Sequence, residues 1–445
     1  MPSHAHIVYH ESRASHPAFA VASHASAHEP HAPSMHVFYL TTELPFPPTG
    51  GGRVRSLAEL RLLASLPEVE SVRVLALHEG DVSTTDARAL EAAIPKVSVA
   101  PLVFHPIHIF KHPSHVPRLL MVRLANRVPY LAAKWDGRAV RRAIVAELGA
   151  RSYGVVYLDH LGMAIYLPEV RRVAPKARVV LEQHNVESDF FGQFAKEKKG
   201  LLQPIAQREW RRARTFEAES MQKVDAAVAI SKADAVVFEQ LAGVRAHVVP
   251  QAVTYEARTP SPASPPELGY VGSLAWRPNA QGLDWVCREV WPHVRRAAPE
   301  LTLSIVGSGL PEGPAGPVVP PAWQVEGVKT LGFVRELAPH EARWSAMVAP
   351  VFGGSGVRIK LLEAFRAGVP VVTTPDGAAG LDLVDGRELF IAKDAADFAA
   401  RVVELARSPE LQEKLRLGAY AYLERAHAPK VAQAIMRAAL GLPGV

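Results

Sequence analysis

From residue 35 onward the chain alternates two patterns. A short run of consecutive aliphatic and β-branched residues is followed by a longer stretch whose apolar positions recur every three or four residues. In the first half the short runs fall at 36–41, 71–77, 97–103, 155–159, 178–184, 226–230 and 247–250. Their near-continuous apolar character predicts strands covered by helices on both faces of a parallel sheet. Strand and helix in strict alternation predict a doubly wound α/β fold. Residues 256–267, EARTPSPASPPE, break the rhythm with clustered prolines and no periodicity, which predicts a linker. A second alternation follows, with strands expected at 268–272, 301–307, 324–328, 346–351 and 369–374. Asn279 is placed to cap a helix running through Val294, and residues 409–440 read as amphipathic helix.

The predicted organisation is a tail over 1–34, an amino-terminal Rossmann-like domain over 35–255, the linker, a second Rossmann-like domain over 268–408, and a helical segment over 409–445. Two such halves imply a cleft between them, where ligands commonly bind. The tail is rich in His, Ala, Ser and Pro and is expected to be disordered. His24, His28 and His31 have helical ligand spacing, but Pro30 and Pro33 argue against a helix there. Met35, immediately before the first strand, is a candidate start of translation.

Of the 445 residues, 48% are apolar and 21% charged, the balance of a globular protein. No apolar run approaches the ~18 to 20 residues that cross a bilayer, and the chain does not open on a basic-then-apolar signal layout. The single cysteine, Cys287, excludes an internal disulfide and a thiolate metal cage. A cytoplasmic location is expected. The net charge of +6 favours anionic partners: nucleotide phosphates, acidic lipids or nucleic acid. No recognition helix, zinc-finger spacing or aromatic RNA-binding signature is present, so nucleic acid is not expected. Residues 105–142 mix apolar with many basic side chains and one acid, Asp136. That stretch reads either as a peripheral dock on an anionic membrane face or as a basic helical insertion packed on the first domain.

The strongest local pattern is APVFGGSGVRIKLLEAFRAGVPVVTTP, residues 349–375. Gly353, Gly354 and Gly356 allow a sharp turn from strand to helix, and the helix start presents bare N–H groups suited to phosphate. Arg358 and Lys360 place cations where a helix disfavours them, which a bound anion would explain. Glu363 has two readings: a solvated pair with Lys360, or a carboxylate turned into the cleft to accept from a ribose diol. Thr49 to Gly52 form a second glycine turn opening a helix at Arg53. VVLEQHNVES carries His184 at the end of an apolar strand, beside Glu182 and Asn185; Asp159 and His160 end the preceding strand as lesser candidates. The G-x-G-x-x-G spacing of a dehydrogenase is absent from TGGGRVRS.

Taken together, LTTELPFPPTGGGRVRS, LEQHNVES, YVGSLAWRPNAQGLDW, LSIVGSG, LGFV and GSGVRIKLLEAFRAGVPVVTTPDGAAGL resemble glycosyltransferase family 4, retaining enzymes of the GT-B fold. The resemblance implies transfer of a sugar from a nucleoside-diphosphate sugar to a glycan, lipid-linked or small-molecule acceptor, without a metal. It implies that Gly51 and Gly52 approach the donor and that His184 binds the transferred sugar. Gly332, Phe333 and Val334 would lie near the base, and Glu363 would hold the ribose. The family's first motif glutamate falls on Ser355, inside a GSG-x-R-x-K-x-x-E variant; Gly354, Ser355 and Gly356 would line the diphosphate. The usual Arg and Lys after the first strand of the second domain are not evident, leaving Arg277, Arg358 and Lys360 as substitutes. A GT-B epimerase and a non-catalytic nucleotide-sugar-binding protein remain the alternative expectations.

Overall fold

The computed structural model describes residues 34–48, 51–106, 111–126, 128–200, 202–257, 263–313, 316–353 and 358–443. The tail over 1–33, the centre of the linker and Gly354, Ser355 and Gly356 therefore lie outside the described residues.

Eight strands build the amino-terminal sheet: β1 (Met35–Thr41), β2 (Val69–His78), β3 (Val97–Val99), β4 (Val103–Phe104), β5 (Val155–Asp159), β6 (Arg178–Gln183), β7 (Ala226–Ala229) and β8 (His247–Val248). Their order is β3-β2-β1-β5-β6-β7-β8, with β4 also on β2, and every pairing is parallel. The second lobe holds β9 (Glu267–Val271), β10 (Thr302–Val306), a small hairpin of β11 (Glu312–Gly313) and β12 (Gly316–Pro317), then β13 (Val328–Gly332), β14 (Trp344–Ala349), β15 (Val371–Thr373) and β16 (Phe390–Ile391). Its six-stranded parallel sheet runs β13-β10-β9-β14-β15-β16. Both lobes are thus doubly wound. Each has a switch point where the strand order reverses, between β1 and β5 in one and between β9 and β14 in the other. In open α/β sheets the crevice past the strand carboxyl ends at that point is where ligands sit.

β1 shows why these runs form buried strands. Val37 and Tyr39 enter one core, with Leu60 and Val72, while Phe38 and Leu40 enter the other, with Val156 and Leu181. A strand buried on both faces has no polar alternation to display. In the second sheet Gly269 is required by its neighbour, because a Cβ there would lie 2.0 Å from the Trp344 ring. The chain then returns to the first lobe. Helix Pro429–Ala439 places Ala432, Met436 and Ala439 in the same core as Val37 and Leu60. Arg437 pairs with Glu68, and Arg178 Nε donates to the Ala439 carbonyl at 2.8 Å.

Three expectations shift. The strand expected at 324–328 is instead β13; residues Pro321–Trp323 form a 3-10 turn that buries Trp323, whose Nε1 donates to Asp284 at 2.7 Å. β13 is a half-exposed edge strand, so its apolar signal is weak. The run at 97–103 divides into β3 and β4. Helix Arg277–Trp285 starts before Asn279, whose side chain donates instead to the Ser273 carbonyl at 3.0 Å.

Candidate functional site

The first wall of the site lies at the switch point of the amino-terminal sheet. β1 and β5 run in register with Thr41 opposite Asp159, so their carboxyl ends emerge together. Helix Gly51–Ser65 begins beside them, and a Cβ on Gly52 would lie 3.7 Å from Glu43 Oε1 and 3.9 Å from His160 Nε2. His160 is therefore the imidazole that reaches the glycine turn. Its φ of +78° makes it the one non-glycine residue with positive φ among the described residues. Such strain persists only where surrounding structure enforces it, often at functional sites.

Asp159 enforces it. Its Oδ2 accepts from Thr41 Oγ1 and Ser56 Oγ, each at 2.7 Å, and its Oδ1 lies 3.2 Å from His160 Nδ1 and 2.8 Å from His184 Nε2. Burial alone would raise the Asp159 carboxyl, yet the two imidazoles hold it well below the usual carboxylate range. Burial would lower His160, but the Asp159 carboxylate overrides this and lifts it to about 9. At neutral pH His160 is a cation in the crevice.

His184 stands at the carboxyl end of β6, as its sequence position suggests. β6 ends at Gln183, and His184 is buried with its Nε2 turned to Asp159 and its ring 3.8 Å from that of His160. It stands behind His160. Below both lies a packed polar layer: Arg55 Nε donates to Glu182 at 2.9 Å and pairs with Glu59, and Tyr157 donates to Glu182 at 2.9 Å. Asp159, His160 and His184 also bring ligand-capable atoms within 4.8 Å of one another, the donor composition of a divalent-cation site. Nothing in the linear spacing announces that set, which comes from the ends of two adjacent strands.

The second wall lies at the switch point of the other sheet. β14 leads through Phe352 and Gly353 toward helix Ile359–Arg366, whose N-cap is Arg358. The loop is fastened to the next strand connection: Gly353 N donates to Asp376 Oδ2 at 2.7 Å, and Thr374 Oγ1 donates to the Val351 carbonyl. Arg358 Nη2 donates to the Gly353 carbonyl at 2.9 Å. Burial lowers the Arg358 guanidinium, opposed by Asp376 in its own lobe and by Asp234 in the other. Arg358 accordingly lies within electrostatic reach of the first lobe. Nearby, an ion pair joins the lobes, Lys232 Nζ to Asp382 Oδ2 at 2.5 Å.

Lys360 does not pair with Glu363. It donates to Asn279 Oδ1 at 2.9 Å and lies over the Tyr270 ring, 5.0 Å from its centroid. Burial, and then Arg358, push its ammonium down to about 8. Glu363, half-buried one turn along the same helix, accepts instead from Arg366 Nε at 2.8 Å. Arg277 is exposed at the first position of its helix, two residues before Asn279 in the same first turn. Gly332 ends β13 at φ +68° and its carbonyl accepts from Gly307 N at 2.9 Å, with Phe333 and Val334 half-buried beyond it. Gly307 itself abuts the neighbouring connection, since a Cβ there would come 1.9 Å from the Gly272 carbonyl. Gly272, Gly307 and Gly332 thus line the carboxyl ends of three adjacent strands with backbone. A separate hollow of about 440 Å³, bounded by Glu267, Thr302 and Lys329, opens near the amino ends of β9 and β10 and has no part in this site.

Residues 265–408 match the family model of glycosyl transferases group 1. A stretch of 160 residues is 24% identical to an uncharacterised 44.6 kDa protein in the cps region of Klebsiella pneumoniae, a match covering 35% of this chain and 41% of that protein's length. Among solved structures, Staphylococcus aureus TarM in complex with fondaparinux, α-GlcNAc-glycerol and UDP superposes with a TM-score of 0.64 at 10% identity, over 91% of this chain and 99% of that one. Anabaena HepE in complex with UDP and glucose gives 0.60 at 13% identity, over 92% and 99%. Sucrose-phosphate synthase from Thermosynechococcus elongatus gives 0.61 at 14% identity, over 90% and 97%. At these identities the likeness is one of fold. The chain has the two-lobed GT-B architecture.

Proposed function

We propose that this chain is a retaining family 4 glycosyltransferase that moves a sugar from a nucleoside-diphosphate sugar to an acceptor entering between the lobes. What supports the reading is that each sheet has a switch point with a cation at its carboxyl edge: His160 beside Gly52 in one lobe, and Arg358 and Lys360 at the start of the helix after β14 in the other. HepE and TarM, which share the fold, were each solved with UDP. In this reading Arg358, Lys360 and the turn carrying Gly354, Ser355 and Gly356 receive the diphosphate, with Arg277 at the rim. Glu363 accepts from the ribose, and the shelf of Gly332, Phe333 and Val334 meets the base. His160 contacts the transferred sugar, and His184, through Asp159, positions it.

Retention then needs no enzyme nucleophile. The acceptor hydroxyl attacks the anomeric carbon on the face the diphosphate is leaving, the bond to the phosphate oxygen breaks with its electron pair, and that oxygen takes the acceptor proton. The protein contributes alignment and charge stabilisation on the departing phosphate. Incubation with a panel of nucleoside-diphosphate sugars and simple acceptors, followed by NMR, tests this: the product anomer should match the donor. An inverted anomer, or release of no nucleoside diphosphate from any donor, overturns the reading.

Two further outcomes are expected. Because the Lys360 ammonium sits near 8 without ligand, a bound diphosphate should raise it, so at pH 8 nucleoside diphosphate binding should take up about half a proton. Titration calorimetry in buffers of different ionisation enthalpy measures this, and Lys360→Met should abolish it. In this reading Arg358 and Lys360 supply the positive charge beside the diphosphate, so a divalent ion is not required. Turnover should survive EDTA; loss that returns with a divalent ion would assign Asp159, His160 and His184 to a metal.

A further inference from the structure

The connection after His184 is a helical hairpin whose outer face the proposed chemistry does not use. Helix Glu187–Glu197 starts just past the carboxyl end of β6, and helix Leu202–Gln222 packs against it. Its inner side is closely built: Glu217 accepts from the amides of Glu187 and Ser188 at 3.0 and 3.1 Å, and a Cβ on Gly192 would lie 3.0 Å from Trp210 Nε1. Its outer side is apolar. Phe190, Phe194, Leu202 and Ile205 are between 44% and 64% exposed. Phe190 and Phe194 share one helix face at i, i+4, and Leu202 and Ile205 another at i, i+3.

The same surface continues onto helix Val116–Asn126. Arg123 of that helix pairs with Glu209 of the hairpin. Leu120 and Ile205, each one turn from a member of the pair, are both exposed. The basic residues of 105–142 are largely spent on internal partners: Arg118 and Arg141 pair with Asp136, and Arg123 with Glu209. The hairpin is different. Lys196, Lys199, Arg208, Arg211 and Arg214 are exposed, and none pairs with a carboxylate among the described residues. Lys198 lies over the Phe194 ring, 4.4 Å from its centroid.

We infer that this face lies on an anionic membrane surface, with the Phe190, Phe194, Leu202 and Ile205 side chains entering the headgroup boundary and the flanking cations on lipid phosphates. Exposed apolar side chains bordered by long basic ones are what an interface with an apolar interior and an anionic rim selects. A second copy of this chain would bring the same unpaired cations against themselves. No helix among the described residues is long and apolar enough to cross a membrane, so the contact is peripheral. Resting on the transferase reading, the placement also names the acceptor class. The hairpin is rooted beside His184, so docking sets the mouth of the cleft at the bilayer, where a lipid-linked acceptor is presented.

Flotation of the full chain with vesicles of phosphatidylcholine alone, or with phosphatidylglycerol added, tests the contact. Binding is expected only to the anionic vesicles, and is expected to weaken at least 10-fold between low salt and 0.5 M salt. F190S/I205S and the charge reversal K199E/R211E should each lose flotation while their thermal shift with UDP equals that of the parent chain. Absence of flotation at low salt, or flotation unchanged in both variants, overturns the proposal. So does a concentration-dependent dimer in sedimentation that F190S/I205S removes, which would mark the face as a contact between copies. A parent chain that floats but shows no shift with any nucleoside diphosphate would instead defeat the donor reading and leave the membrane contact standing.

Discussion

His160→Ala is expected to lower kcat/KM by about 100- to 1,000-fold, the range observed when one preorganised donor to developing charge is removed. His160→Ala keeps a Cβ and with it the strained φ, so His160→Gly, which relieves the strain, is the companion variant that separates lost chemistry from lost stability. The pH profile carries the sharper signature. With His160 lifted to about 9 by Asp159, activity should hold through neutrality and fall as pH rises through about 9. Asp159→Asn removes the charge that sustains the cation, so its profile should fall at lower pH, which a merely structural role would not produce. Stability follows the same sign. A folded-state value raised above the ordinary 6.5 gives stability fully present below 6.5 and lost as pH climbs through about 9. A flat profile across pH 7 to 10 in the parent chain would remove His160 from the chemistry. His184→Ala should cost less turnover than His160→Ala, since its ring acts only through Asp159; the reverse order would restore the direct role to His184.

Glu363→Ala should raise the dissociation constant of the donor about 10- to 100-fold, the scale of one or two hydrogen bonds to a charged acceptor. The change also frees Arg366, so affinity alone is ambiguous. Discrimination settles it. If Glu363 accepts from the ribose diol, the parent chain prefers a ribonucleoside diphosphate over its 2′-deoxy analogue, and Glu363→Ala erases that preference. Equal discrimination in both proteins would show that the carboxylate serves Arg366 alone.

Much of this architecture is legible in the linear chain because parallel strands buried on both faces leave continuous apolar runs, as in β1 and β5. The helix start at Arg358 and Lys360 is legible for a related reason, since glycines after an apolar run predict a turn from strand to helix. Other parts depend on register. Asp159 lies beside Glu182 only because β5 and β6 pair in one alignment, and this alignment brings His184 onto Asp159 from well down the chain. Position at a strand end cannot distinguish the imidazole that faces the crevice from the one behind it, and a positive φ leaves no mark on sequence. The partner of Lys360 escapes because Asn279 comes from another helix, whereas Arg366, the partner of Glu363, lies three residues along the same helix. β13 is displaced from its expected position because an edge strand with alternating exposure carries half the apolar signal.

Helix Pro429–Ala439 has a consequence for biogenesis. Met436 and Ala432 fill the same interior as Val37 and Leu60, so the lobe made first lacks part of its interior until residues 429–440 have been synthesised. Vectorial completion, in which an early unit matures while later ones are still emerging from the ribosome, is unavailable to it. The lobe made second, whose strands and helices fall within 263–427, can reach its own packed state first.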